Sequence, residues 1–467
     1  MDPLALANLR RDVLDATRLP GVARGTWGIV VHSLDRDERL LELNPQSLFV
    51  PASVVKLVSV ATAVDAVGWD YRFTTTTLAT GPVVDGTLRG DLMVVGSGDP
   101  SIGGRGGTDL DELVAAIAAV GVRQIEGRVI GDDDGLEEPR PQLSWAWDDL
   151  GYPTGAIFGG LNVAENRTLA TVTPGDADGD PATLGLVSGD TFPLLGNRAV
   201  TGAAGTDLLL WPEQRPGEPF LTIAGSIPLD APPAQVGIAV GNPTLWFARS
   251  LRNRLLAAGV TVAGDAVDLD DVDPPIERSL ATIIATHVSP PLADIAKPLL
   301  KESINLYGEA LMRLNVGGGA FPTNDAALEG LSRRLAAWGL AEGSYQLVDG
   351  SGLSRRNALS PEAVLTVLRH MDDPSGQSPF VTALPIAGVE GSLETRMTGT
   401  AAAGRIRAKT GTMSNVRSLA GYATTVSGER LAFVILLNNF EGTGAMATQA
   451  LDTIAVRLAT FTRSRAN

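Results

Sequence analysis

Four of the 467 residues are lysine, at 56, 297, 301 and 409, against 33 arginines. A chain that uses arginine almost everywhere has chemical reasons to keep a lysine. Lys56 stands three places after Ser53 in PASVVKLVSV, at the head of the apolar run Val54, Val55, Leu57, Val58 and Ala61. On a helix that spacing puts Ser53 and Lys56 on one face, a single turn apart, so the amine can reach the hydroxyl. To act as a base the amine must first lose its proton. Its pKa must fall from about 10.4 towards 7, roughly 4 to 5 kcal/mol at 1.36 kcal/mol per unit. Burial and a second cation produce such shifts, and Lys409 is the candidate cation. Arginine cannot be deprotonated under these conditions, which explains lysine at position 56.

Two further motifs follow in order. Ser303-Ile304-Asn305 is an SxN, and Lys409-Thr410-Gly411, continued by Thr412, Met413 and Ser414, is a KTG. With four lysines, one chance SxxK has an expectation of roughly 0.2, and the ordered trio far less. The residue types suit acyl transfer. Ser53 is the nucleophile and Lys56 its base. Ser303 can relay a proton between the amine and a leaving nitrogen, and Asn305 can hold a substrate amide. Lys409 and Thr412 can bind a substrate carboxylate. The backbone N–H groups of Ser53 and Thr412 can form an oxyanion hole, since a helix start and a strand edge both present free donors. Taken singly, each motif has a plainer reading: an N-capped helix, a turn, an exposed strand end.

Composition narrows the alternatives. The formal charge of -16 and the lack of a Lys/Arg cluster argue against a nucleic-acid or anionic-membrane partner. Without cysteine there is no disulfide, thiol nucleophile or thiolate metal site. Histidine occurs only at 32, 287 and 370, with no HExxH and no GxSxG elbow, so neither a metal nor a Ser-His-Asp triad is expected and no cofactor is called for. The glycine-rich run VVGSGDPSIGGRGG at 94–107 lacks GKS/T and Rossmann spacing, and reads as a turn rather than a nucleotide site.

The elements that must position these residues fall into three textures. The length predicts about three domains. Residues 1–72 read as an amphipathic helix, a hairpin of strands 26–34 and 39–43, and the helix after Ser53. From 73 to 160 a hairpin, TTTTLATGPVVDGTLRGDLMVVGSG, precedes the helix DLDELVAAIAAVG and a strand, RQIEGRVIGD. A matching helix and strand, LWFARSLRNRLLAAGVTVAGDAV, lie near 245–267, which predicts an α/β domain over 73–160 and 241–285. Between them, 161–240 shows short β-like runs broken by PGDADGDP, VSGD and RPGEP, predicting an all-β domain nested in the first insert. The last part, 286–467, includes the hairpin SLAGYATTV and RLAFVILLNNF and a closing helix. If that hairpin shares a sheet with the first one, 1–72 and 286–467 form one domain. The expected fold class is a multidomain α/β (α+β) chain.

Together Ser53–Lys56, Ser303–Asn305 and Lys409–Gly411 resemble the motifs of the penicillin-recognising serine acyltransferases. The 250 positions between Ser53 and Ser303 resemble the class C low-molecular-mass penicillin-binding proteins, the D-Ala-D-Ala carboxypeptidase/endopeptidase family, rather than the more compact class A β-lactamases. KESINLYGEAL and VDGSGLSRRN are similar to two further segments of that family. The resemblance covers essentially the whole chain. It implies a serine β-lactamase/DD-peptidase-like transpeptidase domain, with an antiparallel sheet flanked by helices, carrying the nested insertions. It also implies a periplasmic or extracytoplasmic enzyme that cleaves peptidoglycan stem peptides ending in D-Ala-D-Ala and is acylated by β-lactam antibiotics.

By the same resemblance Thr410, Gly411 and Thr412 bind substrate, while Leu353, Arg355, Met413 and Ser414 line a pocket for the stem-peptide side chain. SWAWDDL resembles an insert loop that reaches the cleft through Trp147 and Asp149, with Asp148 as the competing acid. Ile304 departs from the Asp or Asn common at the middle of the second motif. The opening MDPLALANLRRDVLDATRLP has no signal-peptide pattern, so the signal is expected to have been removed ahead of it. The alternatives are a β-lactamase or esterase on the same scaffold, or a silent penicillin-binding sensor, which would have lost its base or relay.

Overall fold

The computed structural model describes residues 3–105, 110–186, 195–215, 220–273, 276, 278–316 and 322–463. The breaks VSGD at 187–190 and most of RPGEP at 215–219, and the last two glycines of the 94–107 run, lie outside the described residues. The chain divides into two compact units, one of residues 1–71, 291–320 and 324–467, the other of 72–290 and 321–323.

The first unit is built on five antiparallel strands, in the order Glu38–Leu43, Thr26–Ser33, Arg430–Asn438, Val416–Thr424, Ile406–Met413. The N- and C-terminal hairpins thus share one sheet. On one face Ile29, Val31, Leu419, Phe433 and Ile435 pack against Val13, Leu451 and Ile454 of the helices Pro3–Ala16 and Gly444–Thr460. The alternate residues Val30, Val434 and Leu436 are also buried, on the other face. A strand covered on both sides has no polar face to show, which accounts for the unbroken run LAFVILL. The helix Val55–Val67 packs against the helices Asn305–Arg313 and Pro361–His370.

The second unit has a mixed sheet in the order Ala266–Asp268, Val129–Asp132, Leu92–Val95, Thr74–Ala79, Thr282–Val288. Leu113 and Ile117 of the helix Leu110–Ala119 and Phe247 and Leu251 of the helix Pro243–Ala257 belong to its core. Two three-stranded sheets, one centred on Arg167–Thr173 and the other on Leu221–Pro228, enclose a separate apolar cluster that includes Val172, Ile223, Ile227 and Ile238. Among the described residues of 161–240 the only helical element is the 3-10 turn Ala164–Asn166.

Two local expectations change. The strand Thr282–Val288 pairs with Thr74–Ala79, so the chain returns to the first unit at Pro291 rather than at 286. RQIEGRVIGD is two strands in two sheets: Gln124–Ile125 runs beside Thr87–Leu88, and Val129–Asp132 beside Leu92–Val95. Gly127 marks the break. A Cβ there would lie 2.5 Å from Gly90 O, so the backbones meet too closely for any larger residue.

Candidate active site

The helix Val55–Val67 is apolar on every side, and its residues 55–63 are all buried, Lys56 among them at 0% exposure. A 3-10 turn, Ala52–Val54, leads into it and carries Ser53. Lys56 Nζ lies 2.9 Å from Ser53 Oγ, 2.6 Å from Asn305 Oδ1 and 2.5 Å from Ser351 O. Burial lowers the Lys56 pKa to about 7, against the opposing pull of the Asp349 and Glu309 charges. The expected contribution of Lys409 takes another form. Burial lowers the pKa of Lys409 well below its usual value, and repulsion from Lys56 adds to this.

Ser303 terminates the helix Leu292–Glu302 in the left-handed conformation, with φ 65°, and Ile304 opens the helix Asn305–Arg313. A non-glycine residue pays about 1–3 kcal/mol for such a backbone, a strain that often accompanies function. Ser303 Oγ accepts a hydrogen bond from Lys409 Nζ at 2.8 Å, so the second serine is joined to Lys409 and its asparagine to Lys56. Lys409 also donates to Thr410 O at 2.9 Å.

The KTG motif lies on Ile406–Met413, the edge strand of the sheet. Ala408 N donates outward to Pro385 O, and Ile406 O accepts from Ala387 N, so the backbone groups of the even-numbered residues face away from the sheet. With the period of two in an antiparallel strand, the Thr410 and Thr412 amides point the same way. Gly411 explains its own identity: a Cβ would lie 2.7 Å from Pro51 O and 3.2 Å from Ala52 Cβ, so a bare backbone is what lets the strand lie against the Ser53 turn. Gly352, with φ +80°, approaches the same turn from DGSG, where a Cβ would lie 2.1 Å from Ala52 O. The Ser53 turn, two buried lysines and the outward amides of the edge strand therefore lie together.

This constellation sits in a chain whose residues 8–461 match the model of the D-Ala-D-Ala carboxypeptidase 3 (S13) family. The chain belongs to that family. It is 35% identical to a D-alanyl-D-alanine carboxypeptidase of Actinomadura sp. (strain R39), over 98% of this chain and 85% of that protein. It is 24% identical to the D-alanyl-D-alanine carboxypeptidase DacB of Haemophilus influenzae, over 88% of this chain and 85% of that one. The crystal structure of penicillin binding protein 4 (dacB) from Haemophilus influenzae has the same fold, with a TM-score of 0.81 at 24% identity, covering 96% of this chain and 99% of that one.

Of the other residues expected in this family's site, Arg355 is exposed and donates through Nη2 to Ser414 O at 3.1 Å, while Leu353 is half-buried and its amide donates to Ser351 Oγ. Met413 and Ser414 lie at the hairpin turn after the KTG strand. Trp147 and Asp149 belong to the second unit, on the 3-10 turn Trp147–Asp149; Trp147 and Asp148 are exposed and Asp149 is half-buried. In that unit Asp133, Asp134 and Glu138 bring carboxylate oxygens within 4.8 Å of one another; among the described residues no such group surrounds Ser53.

Sequence reasoning missed the Ser351 carbonyl, and with it the two buried acids behind it, Asp349 and Glu309. Asp349 accepts from Gly352 N, Ser354 N and Asn357 Nδ2 at 2.7–2.8 Å. Glu309 follows Asn305 by four residues inside an apolar helix, a spacing that puts both on one face and was the available signal.

Proposed function

We propose that this family member acts as a D-alanyl-D-alanine carboxypeptidase/endopeptidase on peptidoglycan stem peptides, through an acyl-enzyme on Ser53 that β-lactams also form. The observation that carries the reading is the set of three acceptors around Lys56 Nζ. A neutral amine has two N–H bonds and one lone pair. Asn305 Oδ1 and Ser351 O, the two nearer acceptors, take the N–H bonds, and the lone pair is left for the Ser53 hydroxyl. A pKa of about 7 leaves a large fraction of the amine neutral at neutral pH.

Ser53 Oγ then attacks the carbonyl of the D-Ala-D-Ala bond as its proton moves to Lys56. The amides of Ser53 and Thr412 receive the oxyanion. Collapse expels D-alanine, or a longer amine in the endopeptidase case, with its nitrogen protonated by way of Ser303. Buried Lys409 has only neutral acceptors, Ser303 Oγ and Thr410 O, among its hydrogen bonds. The C-terminal carboxylate of a substrate is the anion that would hold its proton in place, with Thr410, Gly411 and Thr412 lining the approach. Water completes the cycle by hydrolysing the ester.

The reading includes the side-chain pocket of Leu353, Arg355, Met413 and Ser414, a contribution from Trp147 and Asp149, and an extracytoplasmic site of action. The separate apolar cluster within 161–240 supports treating that segment as a domain nested in the insert. Intact-protein mass spectrometry after penicillin is the direct test. Wild type should gain one penicilloyl group, located on Ser53, and Ser53→Ala should gain none while peptidase turnover falls about 10⁶-fold. Labelling of Ser53→Ala at another serine would overturn the assignment.

A further inference from the structure

Glu309 is a fully buried carboxyl next to the proposed base, and none of the steps above uses it. Its helix meets the DGSG loop backbone to backbone: a Cβ on Gly308 would lie 2.8 Å from Gly350 O, and one on Gly350 would lie 2.2 Å from Gly308 O. Only paired glycines permit that approach, and it brings Glu309 under the loop. Glu309 Oε1 accepts from Gly350 N at 3.1 Å and Ser351 N at 2.9 Å. Ser59 Oγ donates to Gly350 O at 2.6 Å from the other side. The residue so fixed is Ser351, whose carbonyl takes one N–H bond of Lys56. Glu309 Oε2 accepts no hydrogen bond; Arg313 Nη1 stands 3.5 Å away.

The charges around this point form a closed group. Lys56 faces it from the helix Val55–Val67, Asp349 from the loop and Arg313 from the same helix as Glu309, while Lys409 lies beyond Lys56 on the edge strand. On the other two helices packed here, Lys301 is engaged by Glu390 and Arg334 by Asp65. The electrostatic consequence supports the geometry: Glu309 raises the pKa of Lys56, and burial with the Asp349 charge raises its own to about 7.

We propose that Glu309 is a positioning residue for the base: its carboxylate holds the amide of Ser351, the residue whose own carbonyl, one peptide further on, directs the Lys56 lone pair at Ser53, and its negative charge balances the ammonium formed as Ser53 attacks. The proton count stays simple. Ser53 loses one proton, Lys56 gains it and later passes it to the leaving nitrogen, and Glu309 supplies charge and takes no part in bond making. This rests on the acyl-enzyme reading above.

The test is the pH dependence of the acylation rate with a chromogenic β-lactam, measured on the full chain. Protonation of Glu309 weakens the hold on the Lys56 proton, so the wild-type acid limb should be broader than that of one independent proton. Glu309→Gln keeps an oxygen for the two amides and removes the charge. Its limb should sharpen to a single proton and move down by about one pH unit, with the plateau rate lower by no more than about 10-fold because the base is weaker. A purely structural Glu309 would lower the rate with the limb unmoved. That result, an upward shift, or a one-proton wild-type limb overturns the proposal. Absence of any Ser53 adduct on wild type would overturn the acyl-enzyme reading itself.

Discussion

At the scale of single residues, the two buried lysines differ in what their surroundings ask of them. Lys56 is held by three acceptors and must give up its proton to work, whereas Lys409 is bonded to Ser303 and Thr410 O and is placed to meet an incoming carboxylate. Lys56→Arg keeps a positive charge that cannot be removed, so acylation by penicillin should fall by more than about 10³-fold. Lys409→Arg keeps a carboxylate-binding cation and should lose about 1–3 kcal/mol in kcat/KM, mostly through KM. Stopped-flow acylation of the two variants separates the cases; equal losses would mean that Lys56 serves only as a charge. Deacylation draws on another feature of the site. The two acids near Lys56 are fully buried, Asp349 bonded to loop amides through both oxygens and Glu309 through one, and Asp65 pairs with Arg334. None of these is free to activate water on a penicilloyl ester as a class A β-lactamase glutamate does. The adduct on wild type should persist for minutes or longer while D-alanine is released from D-Ala-D-Ala peptides. Rapid destruction of penicillin without D-alanine release would favour the β-lactamase alternative.

At the scale of elements, the site is an edge strand and a glycine loop pressed against one turn of 3-10 helix, and two glycines set the distances. Gly411 has an ordinary strand backbone and only lacks room, so Gly411→Ala should push the strand off the Ser53 turn and shift the Thr412 amide. Acylation should drop about 10²-fold, as for a misplacement near 1 Å, with a stability loss of about 1–3 kcal/mol from the overpacked backbone contact. Gly352 also needs a positive φ, so Gly352→Ala should lose acylation and about 1–3 kcal/mol of stability together. Unchanged acylation in Gly411→Ala would reverse this assignment. The same elements show what the sequence makes legible. The grouping of Ser53, Lys56, Ser303, Asn305 and Lys409 is legible because reactive side chains at fixed short spacings stand out, and the apolar run around Lys56 points to its burial. The Ser351 carbonyl has no sequence signature at all, and Glu309 has only a weak one, its place four residues after Asn305, which a solvated glutamate on a helix shares. The boundary at 286 cuts through the strand Thr282–Val288 for a related reason: its partner, Thr74–Ala79, is about 200 residues away, and local pattern says nothing of pairing at that range.

At the scale of the whole molecule, a base tuned by burial weighs on the stability of the fold. An unfolded chain holds the Lys56 proton up to about its usual pKa of 10.5, while the folded chain releases it at about 7. The folded state therefore binds fewer protons between those values, and its stability rises with pH across that window. The penalty is fully present at and below about pH 7 and is gone above 10.5; at about 1.36 kcal/mol per pH unit it amounts to roughly 5 kcal/mol. Lys56→Met removes the penalty and leaves two acceptors, Asn305 Oδ1 and Ser351 O, without their donor, an offset of about 1–3 kcal/mol each at most. Removing the ammonium also relieves the repulsion felt by Lys409. Relative to wild type, the inactive variant should therefore stand between roughly −1 and +3 kcal/mol at pH 7, and it should lose roughly 5 kcal/mol of that standing as pH approaches 10.5. Paired denaturation series at several pH values read that change, with groups remote from Lys56 cancelling between the two proteins. A Lys56→Met chain whose difference from wild type is independent of pH would mean that Lys56 keeps its proton in the folded state, and the lone pair aimed at Ser53 would not exist.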